Sequence, residues 1–376
     1  MIITIVGGGN VGHYLIALAG SKGHQVNVFT SKPEKWQSEV ESYDTAHDVL
    51  TVGKLYMASN VPEEVIAPAD LILVALPSNA YASVFVPVMS FIKPGAMVGF
   101  IPGTGGVEFF CNDLLKKGCV LFGTQRVPSG TSLVEYGKRV NSLGSRKDLR
   151  IAAIPQKKTT QICELMRNLL DIDTLELPNY LCVTLTPSNP ILHTSRLSTL
   201  FSTYKKGQYY PEQLSFYKKW SNDSSEMLIG CDAELQEALA KIPLDTKEIL
   251  SLKIHYEIWT VDGKDDIERM THKISILPYL KDNVPMIRSE NGYEPNLESR
   301  YFQEDFPYGL CIVKSFCDIC GVKTPHIDWV LQWFCNMFDK QFFVGNDFIG
   351  KDLNSLYIPT NYGIHSIEDI CNYYAK

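Results

Sequence analysis

The chain opens on Met1-Ile-Ile-Thr-Ile-Val-Gly-Gly-Gly-Asn-Val-Gly12, an apolar run followed by a glycine-rich turn and the beginning of a helical pattern. A buried strand, a G-x-G-x-x-G turn and a helix in this order form the arrangement that a dinucleotide site requires. The first glycine permits the tight turn, the second lets a pyrophosphate approach the backbone, and the third lets the helix pack closely on the strand. The helix N-terminus adds N–H groups and a partial positive charge that favour phosphate. The residues predicted to bind a dinucleotide here are Gly7, Gly9, Asn10, Val11 and Gly12. The alternative is a glycine-rich turn that holds no ligand.

The end of the second predicted strand indicates which dinucleotide fits. An NAD site normally has Asp or Glu at this point, which accepts from the ribose 2′-hydroxyl. Four other residues lie here instead: Thr30, Ser31, Lys32 and, shortly after, Lys35. The first carboxylate comes only at Glu34. Hydroxyl and ammonium groups suit a 2′-phosphate, which an acid would repel, so we predict NADP(H) in preference to NAD(H). The alternative is a solvated loop beside an NAD site of low selectivity.

The composition is that of an ordinary globular protein long enough for two domains. Of its 376 residues, 45% are hydrophobic and 20% are charged. A net charge of −7 without a basic block argues against nucleic acid as a partner. No apolar run reaches the roughly 18 residues that a membrane span needs, and the start lacks the basic region of a signal peptide. We therefore expect a cytoplasmic protein without membrane contact.

The ten cysteines are scattered along the chain, as is usual for reduced thiols in a cytosolic enzyme. Cys317-Asp-Ile-Cys320 is the one C-x-x-C pair, and no second pair follows at zinc-finger spacing. We therefore predict no metal site.

Strand and helix patterns alternate in the first half of the chain. Strands are predicted at Ile2–Val6, Gln25–Phe29, Asp70–Leu76, Ala96–Ile101, Val120–Phe122, Ile151–Ile154 and Thr174–Leu177, and helices at His13–Ala19, Tyr81–Phe91 and Lys158–Leu170. Continuous apolar strands are typical of a parallel sheet that is covered on both faces. Residues 1–180 are therefore predicted to form an α/β, Rossmann-type, doubly wound dinucleotide-binding domain.

From about Thr186 the strand signal fades and longer helical patterns follow. They cover Ile191–Lys205, Pro211–Lys241, Thr246–Trp259, Tyr308–Cys320 and His326–Phe338. Residues 181–376 are therefore predicted to form a mainly α-helical substrate and catalytic domain, and the cleft between the domains is the expected substrate site.

Ligands of a doubly wound sheet bind beyond the carboxyl ends of its strands. Besides the glycine turn, these ends are predicted at Pro77–Ala80, Pro102–Gly106 and Gly123–Pro128. From this position Pro77 is expected to contact the cofactor and Gln125 the substrate. Thr104 and Arg126 fit the same argument.

The second half of the chain supplies candidates for catalysis. A nicotinamide enzyme needs a proton donor or acceptor beside the carbon that takes the hydride, and usually a cation for a substrate carboxylate. His193 lies just inside a predicted helix that Ser188 or Asn189 can cap. The alternative for His193 is a hydrogen-bonded packing residue.

The loop Arg300-Tyr-Phe-Gln-Glu-Asp305 combines a guanidinium with two acids. Arg300 can hold a carboxylate through two parallel hydrogen bonds, and Asp305 can orient a histidine. The alternative is that Arg300 and Asp305 pair with each other and only order the loop.

The segment Tyr204–Trp220 is rich in aromatic residues and lysine. Two interpretations are open: an entrance to an anionic site, or a solvated helical hairpin. We favour the hairpin.

Together these motifs resemble the opine dehydrogenase family, the octopine and nopaline dehydrogenase group. The stretches that carry the resemblance are Asn189-Pro-Ile-Leu-His193, Cys231-Asp-Ala-Glu234, Arg300–Leu310 and Gly321-Val-Lys-Thr-Pro325. The resemblance covers nearly the whole chain. The motifs around His193 and Arg300 are specific in combination, whereas the glycine turn is shared by many families.

The resemblance implies a reductive condensation. An α-keto acid such as pyruvate and the amino group of an amino acid or another amine form an imine, which hydride from NAD(P)H then reduces. It also implies that His193 is the acid/base, that Asp305 is its partner and that Arg300 binds a substrate carboxylate.

Two other functions stay open beside it. A ketopantoate-reductase-like or 2-hydroxy-acid reductase has the same two-domain architecture but commonly uses a lysine of the second domain as acid, and no lysine here occupies a matching helix start. A dinucleotide-sensing protein without turnover need not keep His193, Arg300 and Asp305 together. The identity of the keto acid and the amino donor stays open, as does the oligomeric state, for which a homodimer is one option.

Overall fold

The computed structural model describes residues 1–258, 265–277, 280, 282 and 284–375. Contacts within the chain divide it into two compact units. The first contains Met1–Thr184 together with the end of the chain from Tyr374, and the second contains Leu185–Tyr373. The division thus falls after residue 184 rather than after the predicted 180, and the chain end groups with the first unit instead of the helical one.

Fourteen strands and fourteen α-helices are described. The strands are β1 Ile2–Val6, β2 Gln25–Phe29, β3 Glu39–Asp44, β4 Val49–Lys54, β5 Met57–Ser59, β6 Leu71–Val74, β7 Met97–Phe100, β8 Val120–Thr124, β9 Ser129–Glu135, β10 Arg139–Ser145, β11 Asp148–Ile154, β12 Asp173–Glu176, β13 Met286–Ser289 and β14 Gly292–Pro295. The helices are α1 Asn10–Ser21, α2 Pro62–Val65, α3 Val107–Phe110, α4 Asn112–Lys116, α5 Thr159–Leu170, α6 Leu181–Thr184, α7 Asn189–Leu200, α8 Asn222–Lys241, α9 Leu252–His255, α10 Asp266–Ile276, α11 Arg300–Gln303, α12 Cys311–Ile319, α13 Pro325–Phe338 and α14 Ile367–Tyr374.

Eight strands of the first unit form one sheet in the order β12-β11-β8-β7-β6-β1-β2-β5. Neighbouring strands are parallel, except that β11 runs antiparallel to β8. The central strands are apolar and buried, and no residue of β6 is more than 1% exposed, as expected for a sheet that is covered on both faces. This topology confirms the predicted Rossmann-type domain. The glycine turn follows β1, and the other predicted ligand loops follow β6, β7 and β8.

A second sheet, in the order β4-β3-β10-β9, lies outside the predicted pattern. Its strands are six or seven residues long and lie largely at the surface, and in β3 only Val40 and Ser42 are buried. A local pattern of this kind resembles that of a surface loop, and the pairing of β3 with β10 joins stretches that are far apart in the chain. Such long-range pairing leaves little trace in local sequence.

Two predicted helices begin or fold differently. Tyr81–Phe91 forms a π turn followed by a 3₁₀ turn rather than an α-helix. Pro87 explains this, because proline has no N–H and its ring clashes with the carbonyl four residues earlier. Helix α8 begins at Asn222 rather than at Pro211, and the Ser221 side chain caps it.

A third predicted helix, Thr246–Trp259, is realised only as the short helix α9. Its predicted last residue, Trp259, lies outside the described residues.

The second unit is mainly helical, as predicted, with α7, α8, α12 and α13 packed on one another. Stacked phenylalanine rings fill much of its core: the ring centroids of Phe306 and Phe334 are 4.6 Å apart, and those of Phe334 and Phe338 are 4.4 Å apart. Helix α10 and the β13–β14 hairpin add to the predicted pattern. Among the residues that the structure describes, no helix is long and apolar enough to cross a membrane.

Candidate active site

The glycine turn between β1 and α1 is tightly packed at two glycines and open at the third. Gly7 has φ +113°, and a Cβ there would lie 2.6 Å from the Ala75 carbonyl oxygen. A Cβ on Gly12 would lie 2.0 Å from the Gly7 carbonyl oxygen, so only glycine allows this approach of α1 to the turn. A Cβ on Gly9 would meet nothing within 4 Å. Because Gly9 is also the N-cap of α1, open space and helix N–H groups coincide there, and this fits a dinucleotide pyrophosphate.

The side chain of Asn10 is bound to strand β9. Its amide donates to the Thr131 carbonyl at 3.2 Å and its oxygen accepts from the Leu133 amide at 3.3 Å. The Asn10 side chain is therefore already engaged. Asn10 and the half-buried Val11 can donate to a phosphate through their backbone N–H groups.

His13 joins the glycine turn to the β9–β10 hairpin. The Gly137 N–H donates to Nε2 at 2.7 Å, so Nδ1 carries the ring hydrogen and donates to the Gly9 carbonyl at 2.9 Å. Burial lowers the pKa of His13 and keeps the ring neutral. These two hydrogen bonds connect the glycine turn to the β9–β10 hairpin, and the G-x-G-x-x-G motif alone does not indicate them.

The residues after β2 meet a tyrosine that sequence analysis missed. Thr30 is buried, and its hydroxyl lies 3.0 Å from the Tyr136 hydroxyl. The Lys32 ammonium lies 5.7 Å from the centroid of the Tyr136 ring. Ser31, Lys32 and Lys35 are exposed. The predicted adenosine end therefore presents two ammonium groups and a serine hydroxyl to solvent, with Tyr136 of the hairpin beside them.

Pro77 and Gln125 lie at the carboxyl side of the main sheet. Pro77 has an extended backbone and leads from β6 into the 3₁₀ turn Ser78–Ala80. Gln125 directly follows β8, is 9% exposed, and donates from its side-chain amide to the Cys182 carbonyl at 2.8 Å. Its amide thus anchors α6, a role that differs from the predicted substrate contact.

His193 and Asp305 form a buried pair in the second unit. His193 lies one turn into α7, after Pro190 in the first turn, and Asp305 precedes the π turn Phe306–Leu310. Nδ1 of His193 lies 2.8 Å from Oδ2 of Asp305, and the two side chains are 6% and 8% exposed. A carboxylate only accepts hydrogen bonds, so Nδ1 carries the hydrogen. The carboxylate thereby fixes the imidazole in one tautomer and can stabilise its charged form.

The other ring nitrogen of His193 meets Tyr217. The Tyr217 hydroxyl lies 2.9 Å from Nε2, and since Nε2 of the neutral ring is an acceptor, the phenol donates to it. Burial, followed by the nearby Tyr301, raises the pKa of Tyr217 well above its usual value of 10. The Tyr217 hydroxyl therefore keeps its hydrogen at neutral pH.

Arg300 lies five residues before Asp305 and is accessible. Its side chain is 60% exposed, and Nη1 lies 3.6 Å from Oε2 of Glu304. Burial lowers the pKa of Arg300, but Glu304 and Asp305 raise it by more, and the guanidinium stays charged. Since Asp305 faces His193 and Arg300 faces Glu304, the alternative of an Arg300–Asp305 pair is not what the structure contains.

The segment Tyr204–Trp220 is not the solvated helical hairpin that we favoured. None of its residues belongs to an α-helix, and Phe216, Tyr217 and Trp220 are at most 5% exposed. Two of its aromatic residues pack on His193: the ring centroids of Phe216 and Tyr217 lie 5.8 Å and 6.5 Å from that of the imidazole. Tyr217 is therefore a candidate functional residue that the sequence did not single out, and the aromatic run was its only signal.

In the described part of the chain, no group of three or more His, Cys, Asp or Glu side chains could hold a metal ion. Cys317 lies in α12, and its thiol is 3.7 Å from the Glu234 carbonyl oxygen.

Two family models match parts of the chain. Residues 176–338 match the family model described as NAD/NADP octopine/nopaline dehydrogenase, alpha-helical domain. Residues 2–91 match the model described as NADP oxidoreductase coenzyme F420-dependent.

Relatives match along the whole length. The tauropine dehydrogenase of Arabella iricolor is 25% identical, over 98% of this chain and 100% of its own. The opine dehydrogenase of Haliotis discus hannai is 26% identical over 98% of both chains. A solved structure of octopine dehydrogenase with NADH and L-arginine has a TM-score of 0.84 and 24% identity, and the match covers 98% of this chain and 97% of that one. The predicted resemblance to the opine dehydrogenase family is thus confirmed over nearly the whole chain, and the chain is an NAD(P)-dependent oxidoreductase of the opine dehydrogenase type.

Proposed function

We propose that this protein condenses an α-keto acid with the amino group of an amino acid or amine and reduces the resulting imine, with His193 as the acid/base. The observation that carries the proposal is the buried His193–Asp305 pair, 2.8 Å apart, with the exposed Arg300 five residues before Asp305. The relatives support the same reaction class through their names, tauropine, opine and octopine dehydrogenase.

The condensation needs a group that takes up a proton and returns it. An amine is an ammonium at neutral pH and must lose a proton before its nitrogen can attack the keto carbon. His193 accepts that proton, and Asp305 stabilises the imidazolium. The imidazolium then returns the proton to the hydroxyl of the carbinolamine, which leaves as water and gives the protonated imine. When bound, NAD(P)H supplies the hydride that reduces the imine.

Arg300 has the properties needed to bind the keto-acid carboxylate. Its guanidinium can donate two parallel hydrogen bonds to a carboxylate. Its contact with Glu304 is long, at 3.6 Å, and is solvated on the Arg300 side, whose side chain is 60% exposed against 17% for Glu304. A long, partly exposed pair contributes about 0–1 kcal/mol, so a substrate carboxylate can compete with Glu304 for the guanidinium.

We further propose NADP(H) as the preferred cofactor. The support is the lack of an acid before Glu34 and the exposure of Ser31, Lys32 and Lys35 at the adenosine end. Gly7, Gly9, Asn10, Val11, Gly12, Thr30 and Pro77 complete the proposed cofactor residues. Gln125 stays a predicted substrate residue, although the hydrogen bond from its side-chain amide to the Cys182 carbonyl favours a structural role.

The test follows NADPH and NADH consumption with pyruvate alone, with single amines alone, and with both. L-arginine and agmatine belong in the panel because octopine dehydrogenase structures contain them. We expect turnover only when keto acid and amine are both present, and faster with NADPH. Consumption with the keto acid alone would instead indicate a simple 2-keto-acid reductase.

A matched variant tests the assigned histidine. His193→Ala should abolish turnover while leaving cofactor binding intact, because the dinucleotide residues belong to the other unit. Turnover that survives His193→Ala would remove the mechanism. A homodimer and a cytoplasmic location stay predictions.

A further inference from the structure

His193 has both ring nitrogens engaged by protein side chains. Nδ1 lies 2.8 Å from Asp305 and Nε2 lies 2.9 Å from the Tyr217 hydroxyl. The residue is 4% exposed, and the ring centroid of Tyr301 lies 4.4 Å from that of the imidazole. A substrate can therefore use the acid/base nitrogen in two ways: it displaces the Tyr217 hydroxyl, or it exchanges protons with it.

Tyr217 is held in place through its backbone by Asp282. The Tyr217 amide donates to Oδ1 at 2.6 Å, and the Ser215 hydroxyl donates to Oδ2 at 2.7 Å. The Tyr217 ring lies parallel to the Trp220 ring, with centroids 6.2 Å apart. The residue is 5% exposed, so the side chain is packed as well as anchored.

The same segment is held a second time by Arg196, which is 3% exposed. The Arg196 guanidinium donates to the carbonyls of Ser215, Phe216 and Lys219 at 2.9, 2.8 and 2.7 Å. Hydrogen bonds to a charged group are stronger than those between neutral groups, so moving this segment away from His193 is costly. Arg196 lies in α7, three residues after His193, so one helix carries both the imidazole and the clamp.

We propose that Tyr217 is a catalytic residue that relays protons between the substrate and His193. The inference rests on the proposed condensation. After the phenol has donated to Nε2, its oxygen still has a lone pair that can accept from a substrate N–H. Displacement would have to overcome the Arg196 and Asp282 contacts, whereas a relay uses the observed geometry unchanged.

The relay balances in both directions. As the substrate ammonium gives a proton to the Tyr217 oxygen, the phenol hydrogen passes to Nε2, and Asp305 pairs with the imidazolium. When the carbinolamine hydroxyl leaves, Nε2 returns its hydrogen to the Tyr217 oxygen and the phenol hydrogen passes to the departing water. Because the buried site disfavours a phenolate, the two transfers in each step are concerted. No charge stays on Tyr217.

Among the described residues, the charged and titratable groups that act on Tyr217 are Tyr301, Tyr256, Asp305 and Arg300. Asp305 faces Nδ1, Tyr301 packs on the imidazole, and Arg300 and Glu304 lie at the start and end of the loop that carries Tyr301. Of these, only Asp305 is hydrogen-bonded to His193.

Tyr217→Phe tests the proposal, because it removes only the hydroxyl. The reaction is run with NADPH, pyruvate and the amine that the wild type uses best. We expect kcat to fall by about 10²–10⁴, the usual contribution of acid–base catalysis, with little change in KM for the keto acid. Tyr204→Phe is the matched control, since it removes a phenol in the same unit whose ring stacks on Tyr210 and does not contact His193. Tyr204→Phe should keep wild-type kcat.

A second measurement uses the wild type alone and so does not depend on the folding of a variant. In mixtures of light and heavy water, two protons in flight give a curved dependence of kcat on deuterium content, and one proton gives a straight line. We expect a curve for the wild type and a straight line for Tyr217→Phe. A straight line for the wild type overturns the relay.

The remaining outcomes separate the two proposals. If Tyr217→Phe matches the wild type while turnover still requires both substrates, only the relay falls. If Tyr217→Phe is faster or has a lower KM, the substrate displaces the hydroxyl, and the relay is again overturned. If the wild type shows no turnover that requires both substrates, the proposed function falls and the relay falls with it.

Discussion

Replacing Asp305 with asparagine is the most informative perturbation of the proposed dyad. Asp305→Asn removes one negative charge and keeps nearly the same shape. The two side chains are 6% and 8% exposed and 2.8 Å apart, so water compensates little for the lost charge. The variant also disturbs the tautomer, because an amide can turn its NH₂ toward Nδ1. His193 would then carry its hydrogen on Nε2 and could no longer accept from Tyr217.

The size of the effect follows from Coulomb's law. Unit charges about 4 Å apart attract by about 4 kcal/mol at an effective dielectric constant of about 20. This attraction exists only while His193 carries a hydrogen on both ring nitrogens, as it does during the proposed proton transfers. It therefore stabilises the charged state that the reaction passes through, and its loss should lower kcat by about 10³.

The assay measures kcat and KM in both directions across the pH range in which histidine titrates. We expect the fall to lie in kcat, with affinity for NADPH unchanged, because the dinucleotide residues lie in the first unit. Asp318→Asn is a matched control: it removes a carboxylate of the same unit that is 40% exposed and pairs with Lys314. Thermal unfolding of both variants shows whether either is misfolded. A folded Asp305→Asn enzyme with near-wild-type kcat would refute the role of this pair.

Four further predictions address other parts of the chain. Arg300→Lys should raise KM for the keto acid about tenfold, since an ammonium cannot replace the two-pronged contact, and saturation with pyruvate at fixed amine measures it. Lys32→Glu should shift the ratio of kcat/KM for NADPH and NADH about tenfold toward NADH, because the new carboxylate repels a 2′-phosphate. Burial raises the pKa of Glu108 from 4.5 to about 7, so the folded state binds this proton more tightly than the unfolded state, and its contribution to stability is lost as pH rises from about 4.5 to about 7. Over that pH range the free energy of unfolding of Glu108→Gln should therefore rise by up to about 3 kcal/mol relative to that of the wild type. Denaturant unfolding at several pH values measures this difference. Gly12→Ala places a Cβ 2.0 Å from the Gly7 carbonyl; it should destabilise the first unit by about 3 kcal/mol and weaken NADPH binding, measured by fluorescence titration.

The parts of the fold that sequence predicts well are local. A strand, a glycine turn and a helix are adjacent in the chain. The requirement for glycine at Gly12 arises at the Gly7 carbonyl, five residues earlier, and Gly7 needs glycine for its own positive φ as well as for the approach of Ala75. The same holds for the apolar strands of the main sheet, whose burial on both faces gives continuous hydrophobic runs.

The four-stranded sheet and its β9–β10 hairpin could not be predicted from local sequence. Pairing between β3 and β10 depends on residues about a hundred positions apart, and half-exposed polar strands carry a weak pattern. Tyr136 therefore went unnoticed, although its hydroxyl lies 3.0 Å from Thr30 at the predicted adenosine end. The same long-range contact also explains why His13, next to the glycine motif, was not seen as its support.

In the candidate active site, too, the sequence indicated which residue types could act but not which side chains would come into contact. Residue chemistry singled out His193 and Asp305, and the family resemblance joined them across 112 positions of sequence. Tyr217 could not be found in this way, because a run of aromatic and lysine residues has the composition of a solvated hairpin. What holds it in a buried, non-helical segment is a set of backbone carbonyls that accept from Arg196. An arginine one turn after a catalytic histidine gives no sign in the sequence of which carbonyls it will meet. His193 and Arg196 both lie on α7, so one helix carries the imidazole and the guanidinium that holds the segment of its hydrogen-bond donor, Tyr217.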